Sequence, residues 1–309
     1  MRDPRRSAKL TFCLATVYLV WGSSFLFSKI AVNHLPPAML SGVRFLTAGG
    51  LLAACSRFWL RHSWPNGPRE WRHVLVAGCF MVYFSNGLNI WAIRYIPPNE
   101  SALLNGTAAF WIAGLGVFGR RGHPLSPRAV LGLVIGFLGT ALMLVPASSV
   151  SRSSLLAEGG ALIACLSWSL GTLYYRNIDT RLTSLMFTAW QMLIGGALLL
   201  TTAVLHGDVA RWTPSVPGLV ALAYLTFFSS CLAYTAYGWL MLNTSPAIIG
   251  TYSYVNPAIA AYLGWQFLHE SLSRVQLVGM VIIIVGVALL TVPGGSLIDP
   301  KTLQEPKSP

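Results

Sequence analysis

Arg44 lies inside a long apolar run, seven residues past Pro37, or about 10 Å along a helix at a rise of roughly 1.5 Å per residue. A guanidinium at that depth binds the carbonyls of a neighbouring helix, attracts an anionic group of a solute, or snorkels to the nearer interface. Asn86 and Asn89 stand at i, i+3 and share a helix face, while Asn105 lies in the next apolar run with Thr107 two residues on. Their amides donate and accept at once, which suits a zwitterionic or amide-bearing solute and equally suits bonding between helices. Asn256 precedes Pro257 in the middle of another apolar run. Pro257 removes an amide donor and frees the carbonyl of Ser253 four residues earlier, so a helix kink or an exposed carbonyl is expected there. Aromatic residues recur nearby: Trp21, Trp111 and Trp168, Tyr234 and Tyr237 at i, i+3, and Tyr252 with Tyr254. Such walls suit partly apolar solutes; near helix ends the same rings anchor the lipid interface.

Groups that make or break bonds are missing from the same places. His34, His62, His73, His123, His206 and His269 all fall in or beside loops, and "HES" at His269 lacks the second histidine of HExxH, so a zinc protease is excluded. There is no GxxxxGK[ST] loop to cradle a nucleotide. Cys13, Cys55, Cys79, Cys165 and Cys231 sit in apolar runs without a CxxC pair and read as small buried hydrophobes. No cofactor and no metal is expected. An intramembrane enzyme would need a nucleophile with its base, and a sensor or scaffold would need a soluble appendage. The longest polar connection is about a dozen residues, too short for a folded appendage. Glu100 and Glu158 lie near helix ends and Glu270 in a loop, so no carboxylate occupies the midplane, and proton coupling and facilitated diffusion both stay open.

These side chains need a scaffold that tolerates lipid. Only 10% of the 309 residues are charged, against about 25% in a soluble globule. Ten segments approach the length of about 20 apolar residues that a spanning helix needs, at residues 10–32, 38–59, 72–94, 99–119, 128–146, 155–175, 182–205, 216–242, 245–268 and 274–292. The basic N-terminus, residues 1–9, precedes a run long enough to span and without a small-residue cleavage site, so it is a retained first helix. The tail at 293–309, rich in proline and polar residues, is expected to be disordered and cytoplasmic.

The net charge of +12 reflects orientation, and no nucleic-acid partner is expected. Counted over alternate connections, 15 Lys and Arg fall on one side and 4 on the other, with Lys29 and Arg44 inside helices. The majority side holds both termini and is the cytoplasm. Lys29 and Arg176 are expected to snorkel from helix ends near opposite faces.

A shift of 147 residues superposes the two halves without a gap. Trp21 meets Trp168, Leu26 meets Leu173 and Lys29 meets Arg176; Leu46, Gly49, Leu51 and Leu52 meet Leu193, Gly196, Leu198 and Leu199. Toward the end, Gly132, Gly139 and Pro146 meet Gly279, Gly286 and Pro293. Two five-helix halves, residues 10–146 and 155–292, must then enter the membrane from opposite sides. The expected fold is all-α integral membrane: ten transmembrane helices as two inverted five-helix repeats, a recurrent plan of secondary transporters.

"VWGSSF" from Val20, "GVRFLTAG" from Gly42, "SWSLGTLY" from Ser167, "YSYVNPAIAAYLG" from Tyr252 and "HESLS" from His269 resemble the EamA-type exporters of the drug/metabolite transporter superfamily, YedA-like bacterial proteins among them. The resemblance covers Leu10 to Val292 and implies an exporter of small organic metabolites such as amino acids or drug-like compounds, in the inner (plasma) membrane, working as a monomer or homodimer. Many members carry Glu in both turns where this chain has His123 and Glu270, so the first turn has lost its acid. The expected substrate pathway is Trp21, Arg44, Asn86, Asn89, Asn105, Trp168, Tyr234, Tyr237, Tyr252 and Asn256.

Overall fold

A computed structural model of the chain describes residues 4–96, 101, 104–118, 122, 125–142, 152–268 and 274–291. Glu100, His123, Glu270, Pro146 and the tail from Pro293 lie outside the described residues. The helices are α1 (Pro4–His34), α2 (Pro37–Trp59), α3 (Gly67–Ile93), α4 (Ala108–Leu115), α5 (Pro127–Leu142), α6 (Arg152–Asn177), α7 (Ser184–Leu205), α8 (Val216–Asn243), α9 (Tyr252–Leu268) and α10 (Arg274–Thr291). No strand occurs among the described residues. Proline opens α2, where its missing amide costs no helical bond, and Thr183 and Ser215 cap the first amides of α7 and α8 through their side chains. Helices α1, α2, α3, α6, α7 and α8 include spans long and apolar enough to cross a membrane. Large apolar side chains such as Phe12, Leu19, Phe228 and Ile284 are exposed, as a lipid-facing surface requires.

Helices related by the 147-residue shift pack on one another. Helix α2 lies along α7 and α5 along α10, and glycines let the backbones approach. A Cβ added at Gly49 would stand 2.9 Å from the carbonyl oxygen of Ala189, and one at its mate Gly196 2.8 Å from the amide of Leu46. At Gly139 and Gly286 the nearest atoms would be the amides of Ile283 and Gly136, at 2.8 and 2.6 Å. Without a hydrophobic force between helices in lipid, such small-residue contacts supply the association.

Contacts at the helix ends fix directions. Lys9 lies 4.9 Å from the ring centroid of Trp239, placing the start of α1 beside the end of α8; this end of the bundle is called basal. At the opposite, distal end, a Cβ at Gly218 would touch His34, and the start of α6 passes Trp91 near the end of α3. Thus α1 and α6, superposed in sequence, run in opposite directions. The basal end is tied between halves by four hydrogen bonds. Thr180 Oγ1 and the Arg181 amide donate to Glu70 at 2.5 and 3.1 Å, Thr183 Oγ1 lies 3.0 Å from His62 Nδ1, and the Tyr174 hydroxyl lies 2.7 Å from His73 Nδ1. His73 is a buried residue of the first turns of α3.

Two helices widen near their middles. In α3 the stretch Gly78–Phe84, and in α8 the stretch Leu225–Ala233, take i→i+5 turns; the 147-residue shift carries residue 78 onto residue 225. Such turns leave carbonyls without their usual partner and favour functional positions.

Candidate functional site

One face of α1 presents Trp21, Ser24, Phe25 and Ser28 at i, i+3, i+4 and i+7, and all four line a cavity. It encloses about 760 Å³ of empty space, its open mouth included. Trp21 stands at its floor in an aromatic box, with ring centroids 5.4 Å from Trp168, 5.7 Å from Tyr234 and 5.2 Å from Tyr252, all edge to face. Edge-to-face packing places the positive rim of one ring on the negative face of the next. The polar tips are anchored: Trp21 Nε1 donates to the Ser229 carbonyl at 3.2 Å, Trp168 Nε1 to the Tyr237 hydroxyl at 3.1 Å, and the Tyr234 hydroxyl to the Met81 carbonyl at 3.1 Å.

The widened turns supply the acceptors. Met81 lies in the turn of α3, and its carbonyl also takes the Asn86 amide at 2.7 Å; the Phe80 carbonyl takes Ser167 Oγ at 2.8 Å. Ser229 and Ser230 lie in the turn of α8, where their hydroxyls accept from Arg44 Nη2 at 2.9 Å and Nε at 2.8 Å. Arg44 is 5% exposed and packs its guanidinium 4.6 Å from the ring centroid of Phe45. It bonds hydroxyls, not neighbouring carbonyls, and faces the cavity instead of snorkelling.

Asn89 Oδ1 accepts from Asn105 Nδ2 at 2.8 Å and Ser101 Oγ at 3.3 Å, so the two asparagines link α3 to the segment before α4 while lining the cavity. Cys165 is part of the wall, its sulfur 3.3 Å from Thr107 Oγ1 and 3.7 Å from the Asn105 carbonyl. Asn256 also lines the wall, and with its amide nitrogen turned toward the carbonyls of Tyr252 and Tyr18 it donates at 3.1 and 3.3 Å.

Of the expected pathway residues, Trp21, Arg44, Asn86, Asn89, Asn105, Trp168, Tyr234, Tyr252 and Asn256 surround this cavity. Tyr237 stands behind Trp168, bonded to it and, at 2.9 Å, to Thr172. Trp111 is exposed, and Tyr254 is buried away from the cavity, donating to the Leu133 carbonyl. Helix α9 continues through Pro257. A break precedes α9 at Thr251, after the single turn Pro246–Gly250, where Oγ1 donates to the Ile248 carbonyl at 2.6 Å and meets the Tyr18 hydroxyl.

Two basic residues depart from the snorkelling expected of them. Arg176 is buried, and Nη1 donates to the carbonyls of Met241 at 2.9 Å and Thr244 at 2.5 Å. Lys29 donates to the Ile93 carbonyl at 3.2 Å. Each closes the final carbonyls of the third helix of its own half, where the helix dipole is negative. Sequence reasoning also missed Ser24, Ser28, Ser85 and Ser229 on the cavity wall; the spacing of Ser24 and Ser28 from Trp21 was the available signal.

Comparisons with known proteins place this architecture. The chain is 31% identical over 293 residues to the Escherichia coli K12 protein named uncharacterized inner membrane transporter YedA, covering 93% of this chain and 92% of that one. It is 26% identical to a protein of Salmonella typhimurium named a probable amino-acid metabolite efflux pump, covering 91% and 94% of the two chains. A crystal structure of a protein 21% identical to it shares the fold, with a TM-score of 0.76 over 92% of this chain and 96% of the other. The EamA-like transporter family matches twice, over residues 9–145 and 155–292, one match to each half. A multi-pass helical chain with its motif residues gathered between two such halves is a transporter, and it belongs to the EamA-like transporter family.

Proposed function

We propose that the chain is a secondary transporter that exports small organic metabolites, amino acids or drug-like compounds, by alternating access across the inner membrane. In this reading all ten helices cross, both termini are cytoplasmic, and the basal end faces the cytoplasm. The observation that carries it is the cavity itself. Its wall takes residues from both halves, and it runs from Trp168 and Tyr252 toward the distal ends of α1 and α3 at Ser28 and Ile93. On its basal side the stacked rings of Tyr175 and Phe187, with centroids 4.1 Å apart, and the buried Tyr237 fill the bundle. A site between inverted halves, packed shut on its basal side, is what rocking of one half against the other starts from. The name of the Salmonella relative, an amino-acid metabolite efflux pump, supports the direction and the class of cargo.

The test is a broad panel of metabolites and toxic analogues applied to cells that overproduce the chain, with efflux of loaded compounds as second readout. Resistance to some members is expected, and Trp21→Ala or Asn256→Ala is expected to abolish it at unchanged membrane level of protein. Full activity in both variants would remove the cavity from the pathway.

A further inference from the structure

The charge of the cavity wall is lopsided. Among the described residues Arg44 is the one charged side chain that lines it, and no described carboxylate does. Arg44 is almost fully buried, where an ion is costly unless a counter-charge or strong hydrogen bonds compensate it. Its protein partners here are the neutral hydroxyls of Ser229 and Ser230, which orient the guanidinium without cancelling its charge. Those two bonds use Nε and Nη2, and Nη1 makes no hydrogen bond to a described residue. An arginine always carries its charge and offers a planar fork of donors matched to a carboxylate. A second cation stands near the distal end of the cavity: Lys29 bonds the carbonyl of Ile93, and Ser28 and Ile93 both line the cavity.

Opposite this positive field stand the rings of Trp21, Trp168, Tyr234 and Tyr252. Their faces accept an apolar or aromatic body. Their polar tips are partly committed, since Trp21 Nε1, Trp168 Nε1 and the Tyr234 hydroxyl are bonded within the protein. An ammonium placed in this cavity would find ring faces and amide oxygens, but no described carboxylate, and it would be repelled by Arg44.

We infer that the solute is an organic acid carried as its carboxylate anion, with the carboxylate on the free edge of Arg44 and an apolar or aromatic body against the ring wall. The inference rests on the cavity being the transport site, and it adds an order of preference: anion over zwitterion, and zwitterion over cation.

Four probes of nearly one shape separate charge from size: phenylacetate, phenylalanine, phenethylamine and phenylacetamide. Their binding to the purified full-length chain in detergent at neutral pH is measured by calorimetry. Phenylacetate is expected to bind best, more than tenfold tighter than phenylacetamide, with phenethylamine weakest. Arg44→Gln is expected to lower phenylacetate binding at least tenfold, toward the level of phenylacetamide, with a much smaller loss for phenylacetamide, and Arg44→Lys to keep part of the preference. Equal loss of both probes in Arg44→Gln would make Arg44 a packing residue and overturn the inference. So would phenylalanine or phenethylamine binding as well as phenylacetate, or no phenylacetate binding at millimolar concentration. The ranking of probes on the unaltered chain stands as a test even if Arg44→Gln does not fold. Cellular export of amines blocked by Trp21→Ala would overturn the charge preference and leave transport standing. Anion binding without export would do the reverse.

Discussion

Tyr237 shows how far the residues that face a solute depend on those behind them. Its hydroxyl receives the indole N–H of Trp168 and meets Thr172, so Tyr237→Phe leaves two buried polar groups without that partner. A loss of about 1–3 kcal/mol is expected for an unsatisfied buried group, read as a lower unfolding temperature in detergent, with a several-fold rise in the KM of export. An unchanged KM would show that Trp168 holds its place without this bond. Trp21 and Trp168 were legible in the sequence because tryptophans in one ungapped register are rare, and Arg44 because a charge in an apolar run demands an explanation. Ser229, Ser230 and Ser253 were not. A serine in a helix ordinarily bonds its own preceding turn, and only the packed bundle turns Ser229 and Ser253 to the cavity and Ser230 to Arg44. Lys29 and Arg176 were misread for a similar reason: position along one helix does not tell which neighbour's carbonyls end beside it.

At the scale of elements, the glycines that aligned the two halves are the ones that seat helix on helix. Gly49 and Gly50 make a controlled comparison within α2. A methyl at Gly49 meets Ala189 and Leu193 below 3 Å, whereas one at Gly50 meets nothing within 4 Å. Gly49→Ala is therefore expected to destabilise the fold by about 1–3 kcal/mol, the usual cost of overpacking, while Gly50→Ala stays neutral or gains slightly from helix propensity. Thermal unfolding of the two purified variants decides it, and equal behaviour would remove close approach as the reason for Gly49. The pairing of α2 with α7 and of α5 with α10 was implicit in these matched glycines. The widened turns in α3 and α8 were not, because no residue type marks where a helix takes an extra residue per turn. Their recurrence at one place in both halves, with Met81, Ser229 and Ser230 bonded to side chains that line the cavity, ties them to the site.

For the whole molecule, the excess of basic residues at the basal end gives a direct prediction of orientation. Phosphatase fused within residues 206–214 is expected to be active, as an enzyme that needs an oxidising compartment, and fused after Asp179 to be inactive. The opposite pattern would invert the proposed direction of transport. The two-half plan was readable because repetition leaves its mark in sequence. The cargo was less so, since any pocket of serine, asparagine and aromatic rings admits many solutes until its charge is known.

The basal ties have no mates in the repeat. Shifted by 147 residues, Glu70, His62 and His73 fall on Pro217, Val209 and Val220, and Thr180 and Thr183 fall on Asn33 and Pro36. Under the proposed alternating access, two halves that exchange roles are unequal at rest, and these ties favour the form closed at the basal end. Cys165, a free thiol in the cavity wall, reports that weighting. Buried as it is, it should react slowly in oriented vesicles with an impermeant thiol reagent from either side, and faster from the distal side than from the basal side. In Glu70→Gln with Thr180→Ala the two rates should draw together, as the transporter spends more of its time facing the other way.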